Sequence, residues 1–244
     1  MNPPKNMKLL CVIALVSAIV APLSVRSQEN THAKEAKAFV YTELQNSLPF
    51  QKVPWRKRNA VISEQPGFIS KTWLSGLGNN SVGGFYSFDS FDNARKYVTE
   101  YFPSVTAKQG AAVTMRIFNA DIVKDASIDM DSVHFGYHLT QKPAAYVYTE
   151  LQSSVDFSTF DWHTVDKQLK KVPGLLSKTW LSGVGNNSIG GIEAFDTIQH
   201  AKDYAFVQFP GIAKGLNVAF YSRIFDAAAT EEASKGMNSP YYAQ

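Results

Sequence analysis

The sequence predicts an α+β chain built from two βαββαβ repeats packed sheet to sheet. Three observations predict it. First, Ser70-Lys71-Thr72-Trp73-Leu74-Ser75-Gly76, one further residue and Gly78-Asn79-Asn80-Ser81 return 107 positions later as Ser177 to Gly183 and Gly185 to Ser188. Second, each copy carries the same alternation of strand-like and helix-like segments. Third, the strands mix apolar and polar residues on both faces, whereas a sheet with one face in water alternates cleanly. Helices on one face and a second sheet on the other satisfy all three.

Each copy begins with an aromatic and β-branched strand, Phe39 to Leu44, and Val40 to Gln45 is matched by Val147 to Gln152. In the second copy Trp162, Val165, Leu169 and Val172 recur at helical spacing; the first copy takes its helix by analogy, with Trp55 and Ile62 on the equivalent face. Pro66-Gly67 and Pro173-Gly174 end those helices. Phe68 to Ser75 is the second strand. The Gly- and Asn-rich turn tolerates positive φ, and a third strand runs from Ser81 to Phe88, so the two form a hairpin. A helix follows Asp89 or Ser90, with Ala94, Tyr97, Val98 and Tyr101 on one face; Pro103 and Pro210 are expected to follow the helix ends. Val113 to Phe118 is the fourth strand. This order is the split βαβ of the ferredoxin-like fold, and the two copies together make an intramolecular dimeric α/β barrel.

The register of 107 runs without a gap and persists to Met130/Met237 and Ser132/Ser239, with about two positions in five identical. The resulting boundaries are a lead at 28–38, repeats at 39–132 and 146–239, a connector at 133–145 and a tail at 240–244. Residues 1–27 read as a secretory signal: Lys5 and Lys8, an apolar run from Leu9 to Ala21, and cleavage near Ser27. A periplasmic or secreted protein with no membrane span after signal removal is the expectation. Removing the signal takes three basic residues and no acidic one, and the formal charge of +3 falls to zero. Nothing then argues for a nucleic-acid partner. The one cysteine, Cys11, lies in the apolar run, so the mature chain has no thiol for a disulfide, a metal or catalysis.

His134 and His138 stand four apart with no third ligand in view, and no metal or other cofactor is expected. No nucleophile elbow, phosphate loop or dinucleotide fingerprint is present. What remains is a matched set of polar groups among aromatics: Tyr41, Glu43, Lys71, Trp73, Asn80 and Arg116, with Tyr148, Glu150, Lys178, Trp180, Asn187 and Arg223. A bland reading accompanies each. The tryptophans are core, the asparagines are turn residues, and Arg116 pairs with Glu43 to hold the sheets in register.

Pro-Gly-Phe-Ile-Ser-Lys-Thr-Trp, the Asn-containing turn, Gly-Gly, the aromatic strand ending in Phe88 and the terminal Arg116-Ile117-Phe118 resemble the YdhR-like monooxygenase family. The resemblance covers roughly 39–132 and 146–239. It implies a ferredoxin-like α/β barrel related in fold to cofactor-free monooxygenases of aromatic polyketides. It implies Trp73 and Trp180 as cavity walls, Asn80 and Asn187 as donors, and Arg116 and Arg223 as anion stabilisers. Tyr41, Glu43, Lys71 and their counterparts Tyr148, Glu150 and Lys178 would contact the substrate. The duplication and the export signal depart from the family pattern. Two readings follow: an exported, cofactor-independent monooxygenase-like enzyme acting on a small aromatic or quinol-type substrate, or a non-catalytic module binding a small apolar ligand or a partner protein. Divergence between the copies (Tyr86/Glu193, Met115/Ser222, Thr114/Tyr221) predicts at most one catalytic copy if these positions line the cavity.

Overall fold

The computed structural model describes residues 35–243. The signal reading of 1–27 and most of the lead lie outside them. The first repeat contains β1 (Ala38–Leu44), α1 (Trp55–Ile62), β2 (Phe68–Ser75), β3 (Val82–Phe88), α2 (Phe91–Lys96), α3 (Phe102–Thr106), β4 (Val113–Asn119) and α4 (Lys124–Asp129). The second contains β5 (Ala145–Leu151), α5 (Trp162–Leu169), β6 (Leu175–Ser182), β7 (Ile189–Phe195), α6 (Ile198–Asp203), α7 (Phe209–Leu216), β8 (Phe220–Asp226) and α8 (Glu231–Lys235). The sheets are antiparallel, ordered β2-β3-β1-β4 and β6-β7-β5-β8, which is the ferredoxin-like order the βαββαβ pattern predicts.

Every residue of β1, β3, β5 and β7 is buried, as expected of sheets covered on both faces. One face of each sheet carries the helices. The other meets the second sheet, where the Tyr41 and Tyr148 rings stack in parallel with centroids 4.0 Å apart. The expected barrel is corrected in one respect: the two sheets do not close into one. A single bridge forms at each seam, Gly76 with Phe225 and Phe118 with Gly183. Leu77 N donates to Ile224 O at 2.9 Å and Val184 N to Ile117 O at 3.0 Å. The ladder stops there because β2 and β6 run straight into their Gly-Asn turns, leaving no extended backbone to continue the seam.

The edge strands β2 and β6 are instead covered crosswise. Lys71 N donates to Met237 O and Lys178 N to Met130 O. Trp73 N donates to Ser234 Oγ and Trp180 N to Ser127 Oγ, each at 2.9 Å. Each repeat's last helix thus caps the other repeat's edge, which stops that edge from pairing elsewhere. The faint repeat signal at Met130/Met237 and Ser132/Ser239 marks these caps.

The helices after β3 and β7 correct a second expectation. They do not stop at Pro103 and Pro210. A π-turn (Tyr97–Tyr101, Tyr204–Gln208) joins α2 to α3 and α6 to α7. Each proline then sits in the first turn of a new α-helical segment, where a missing N–H costs nothing. The cap before α6 is Thr197, whose hydroxyl accepts from His200 N.

Candidate functional site

The pleat divides the twelve sequence-selected residues into three places. Tyr41, Glu43 and Arg116, with Tyr148, Glu150 and Arg223, point into the space between the sheets. Lys71, Trp73, Lys178 and Trp180 point to the helix side. Asn80 and Asn187 lie at the exposed hairpin turns with φ of 55° and 49°, away from both, so their role is the backbone turn.

Between the sheets, the ion pairs are exchanged between repeats. Arg223 Nε stands 3.3 Å from Glu43 Oε2 and Arg116 Nε 3.4 Å from Glu150 Oε2. The expected Arg116–Glu43 pair is corrected: the register places Arg116 beside Tyr41 on the neighbouring strand, and its side chain reaches across to the opposite sheet. Tyr41 and Tyr221 hydroxyls also donate to Glu43 Oε2, at 2.9 and 2.7 Å. Burial alone would raise the Glu43 carboxyl. Hydrogen bonds from neighbouring hydroxyls and the charge of Arg223 outweigh it and hold the group below its ordinary value. The stacked tyrosines and paired charges fill this space, and no open cavity among those described is lined by Tyr41, Glu43 or Arg116.

On the helix side each repeat holds a cavity beside its Lys-Trp pair. β2 and β6 supply Lys71 and Trp73, or Lys178 and Trp180, and the helix beyond each π-turn closes the wall. Each indole is fixed from behind: Trp73 Nε1 donates to Asn59 Oδ1 at 2.8 Å, and Trp180 Nε1 to Asp166 Oδ1 at 2.9 Å. The second glycine of each Gly-Gly pair makes room for the lysine. A Cβ at Gly84 would stand 2.5 Å from Lys71 Cε, and one at Gly191 would collide with Lys178 Nζ.

The two cavities differ in size and charge. The first has a volume of about 60 Å³ and is lined by Lys71, Trp73, Tyr86, Tyr97, Tyr101 and Arg58. Lys71 is 1% exposed, its Nζ 2.9 Å from the Trp73 ring centroid and 4.8 Å from that of Tyr86. Among the described residues it has no hydrogen-bonding or carboxylate partner. Burial, reinforced by the Arg58 charge, holds the amine well below its ordinary pKa. The second cavity has a volume of about 310 Å³ and is lined by Lys178, Trp180, Tyr204, Phe209, Ile212 and Leu216. There Glu193 stands where the first repeat has Tyr86, and it pairs with Lys178 Nζ. Thr149 Oγ1 donates to the same carboxylate oxygen at 3.0 Å. Burial pushes the Glu193 carboxyl up, against the pull of Lys178. Burial also pushes Asp166 up to about 7, against the Trp180 hydrogen bond and the Lys178 charge.

Sequence reasoning missed Tyr97, Tyr101 and Tyr204 as cavity residues, and Asn59 and Asp166 as indole partners. The helix-face spacing of the tyrosines was the available signal. The divergence between copies divides accordingly: Tyr86 lines the first cavity and Glu193 stands behind Lys178, while Thr114/Tyr221 lies between the sheets and the half-buried Met115 packs against the first repeat's core.

Residues 54–128 match the family described as "Putative mono-oxygenase ydhR". The resemblance read from the sequence is borne out there. Among solved structures, an "anthrone oxidase-like protein" superposes with a TM-score of 0.52 at 13% identity, covering 80% of this chain and 92% of its own. A "Putative Chlorite dismutase" gives 0.50 at 11% identity, covering 81% and 98%. A "putative monooxygenase" from Lactobacillus acidophilus gives 0.45 at 9%, covering 78% and 93%. At these identities the likeness is one of fold. No curated protein matches the chain.

Proposed function

We propose that the helix-side cavity of the second repeat is the substrate site of an exported, cofactor-independent monooxygenase acting on a small aromatic of the quinol or anthrone type. The observation that carries this reading is a largely apolar cavity of about 310 Å³ with Lys178 on its wall, backed by the buried Glu193 that pairs with it. That volume matches ligand pockets of about 300 Å³ and more, whereas about 60 Å³ is too small for an aromatic substrate.

The chemistry follows from the residues. A phenol or anthrone bound against Trp180 places its oxygen near Lys178. The ammonium stabilises the anion formed when the substrate loses a proton, and Glu193, raised by burial, accepts that proton through the shared hydrogen bond. The electron-rich anion reduces O₂, oxygen adds at the activated carbon, and water leaves. An anthrone and O₂ thereby give an anthraquinone and water, and no further reductant is needed. The aromatic walls keep bulk water from the anion.

The test is O₂ uptake by the purified protein with hydroquinone and anthrone substrates. Lys178→Met and Glu193→Gln should each lower turnover by about 100-fold or more, and Trp180→Ala should raise KM. Trp73→Ala should leave turnover within a few fold. Binding of the aromatics without O₂ uptake would replace the oxygenase by a ligand-binding module. Export rests on residues 1–27; N-terminal sequencing of the protein from its native host should begin near Gln28, and an intact Met1 would refute it.

A further inference from the structure

We infer that Lys71 is a nucleophilic amine that captures small aldehydes as a Schiff base inside the first repeat's cavity. The inference stands apart from the oxygenase reading, because the two cavities belong to different repeats and different lysines.

The geometry comes first. Lys71 is buried on the wall of a cavity of about 60 Å³, room for roughly three or four heavy atoms. Its Nζ rests on the Trp73 ring face and near that of Tyr86. A buried ammonium ordinarily has a carboxylate partner. Lys178, the same residue in the same strand position, has one in Glu193. Lys71 faces Tyr86 instead, and no carboxylate lies on its cavity wall among the described residues. Gly84 leaves the lysine stem its channel, so the amine is held at the cavity rather than folded away. Burial and the nearby Arg58 charge favour the neutral amine, the form with a free electron pair.

The step balances without a co-reactant. The Nζ electron pair attacks the aldehyde carbon to form a C–N bond, and the carbonyl oxygen takes up a proton. The carbinolamine then loses its hydroxyl as water, leaving a C=N bond. Tyr86 lines the same cavity, and burial raises its hydroxyl to about 12, so it stays protonated and is the candidate acid for the departing hydroxyl. The iminium that forms lies over the Trp73 ring, where a cation is stabilised. The small volume selects carbonyl compounds of two or three carbons and excludes the aromatics that fit the second cavity.

The experiment treats the full chain with acetaldehyde and sodium cyanoborohydride at neutral pH and maps ethylated lysines by peptide mass spectrometry. Lys71 should be ethylated about tenfold or more faster than Lys178 and the exposed lysines, because burial and the Arg58 charge favour its neutral, nucleophilic amine. Its lead should widen as the pH is lowered from 9 to 7. Tyr86→Glu, which gives Lys71 the partner Lys178 has, should abolish the lead. Glu193→Tyr, the reciprocal change, should make Lys178 the faster-labelled residue of the variant's second repeat. Ethylation of Lys71 no faster than that of Lys178 in the parent protein would overturn the inference, whether because the amine is protonated or because the cavity does not admit the aldehyde.

Discussion

Asp166 and Asn59 occupy the same place behind their tryptophans, and the difference between them is a titratable proton. Asp166 is buried and one of its oxygens has no partner. Its carboxyl is raised from 3.8 to about 7, so the folded state holds the proton more tightly than the unfolded chain. The associated stability is complete below about pH 4 and is lost as pH rises through about 7. Asp166→Asn should therefore stabilise the protein by about 1–3 kcal/mol above neutral pH and change little near pH 4, read from urea unfolding at several pH values. The amide has a ready acceptor, since Asn59 Nδ2 donates to Ala233 O at 3.0 Å and Ala126 is the matching residue. Glu43 carries the opposite sign. Its lowered carboxyl contributes stability above its unfolded value of about 4.5, lost as pH falls through the lower folded value. Glu43→Gln should cost about 2 kcal/mol at neutral pH, with the gap to the parent closing in acid.

At the scale of elements, the π-turns decide where the cavity walls stand. Phe209 N bonds to Tyr204 O, five residues back, so one extra residue is inserted before Pro210. Deleting the exposed Val207 would restore α-helical register and rotate the α7 segment by about 100°. Phe209, Ile212 and Leu216 would then leave the second cavity, and its affinity for an aromatic ligand should fall about tenfold or more, read as lost quenching of Trp180 fluorescence. Unchanged affinity would remove the π-turn from this role. The repeated prolines hid the feature from sequence reading, because a proline after a helical stretch signals a stop. Only the wider turn lets the helix resume.

The whole molecule is held by exchange. Arg223 pairs with Glu43, Arg116 with Glu150, α8 covers β2 and α4 covers β6, so neither repeat completes its own edge or its own charge pair. A chain truncated after residue 140 should self-associate into a dimer, its α4 capping the β2 of a second copy. Light scattering after size exclusion checks this, and a well-folded monomer would contradict it. The duplication thus fuses what would otherwise be two subunits, and it frees the two cavities to diverge.

Much of this was determined by the sequence itself. A gapless repeat, strands mixing apolar and polar residues on both faces and glycines at the turns imply two ferredoxin-like sheets packed on each other, since local pattern sets elements and burial sets layers. The Lys-Trp pairs were legible because both copies keep them. Only the tertiary structure decided which face each pair served, which repeat each arginine reached, and which cavity was large. Those outcomes rest on contacts between residues distant in the chain, up to 180 positions apart, and on the positions where the copies differ. The Tyr86/Glu193 divergence was legible but its consequence was not: with Arg58 against Val165 it separates a small cavity with a bare amine from a wide one with an ion pair.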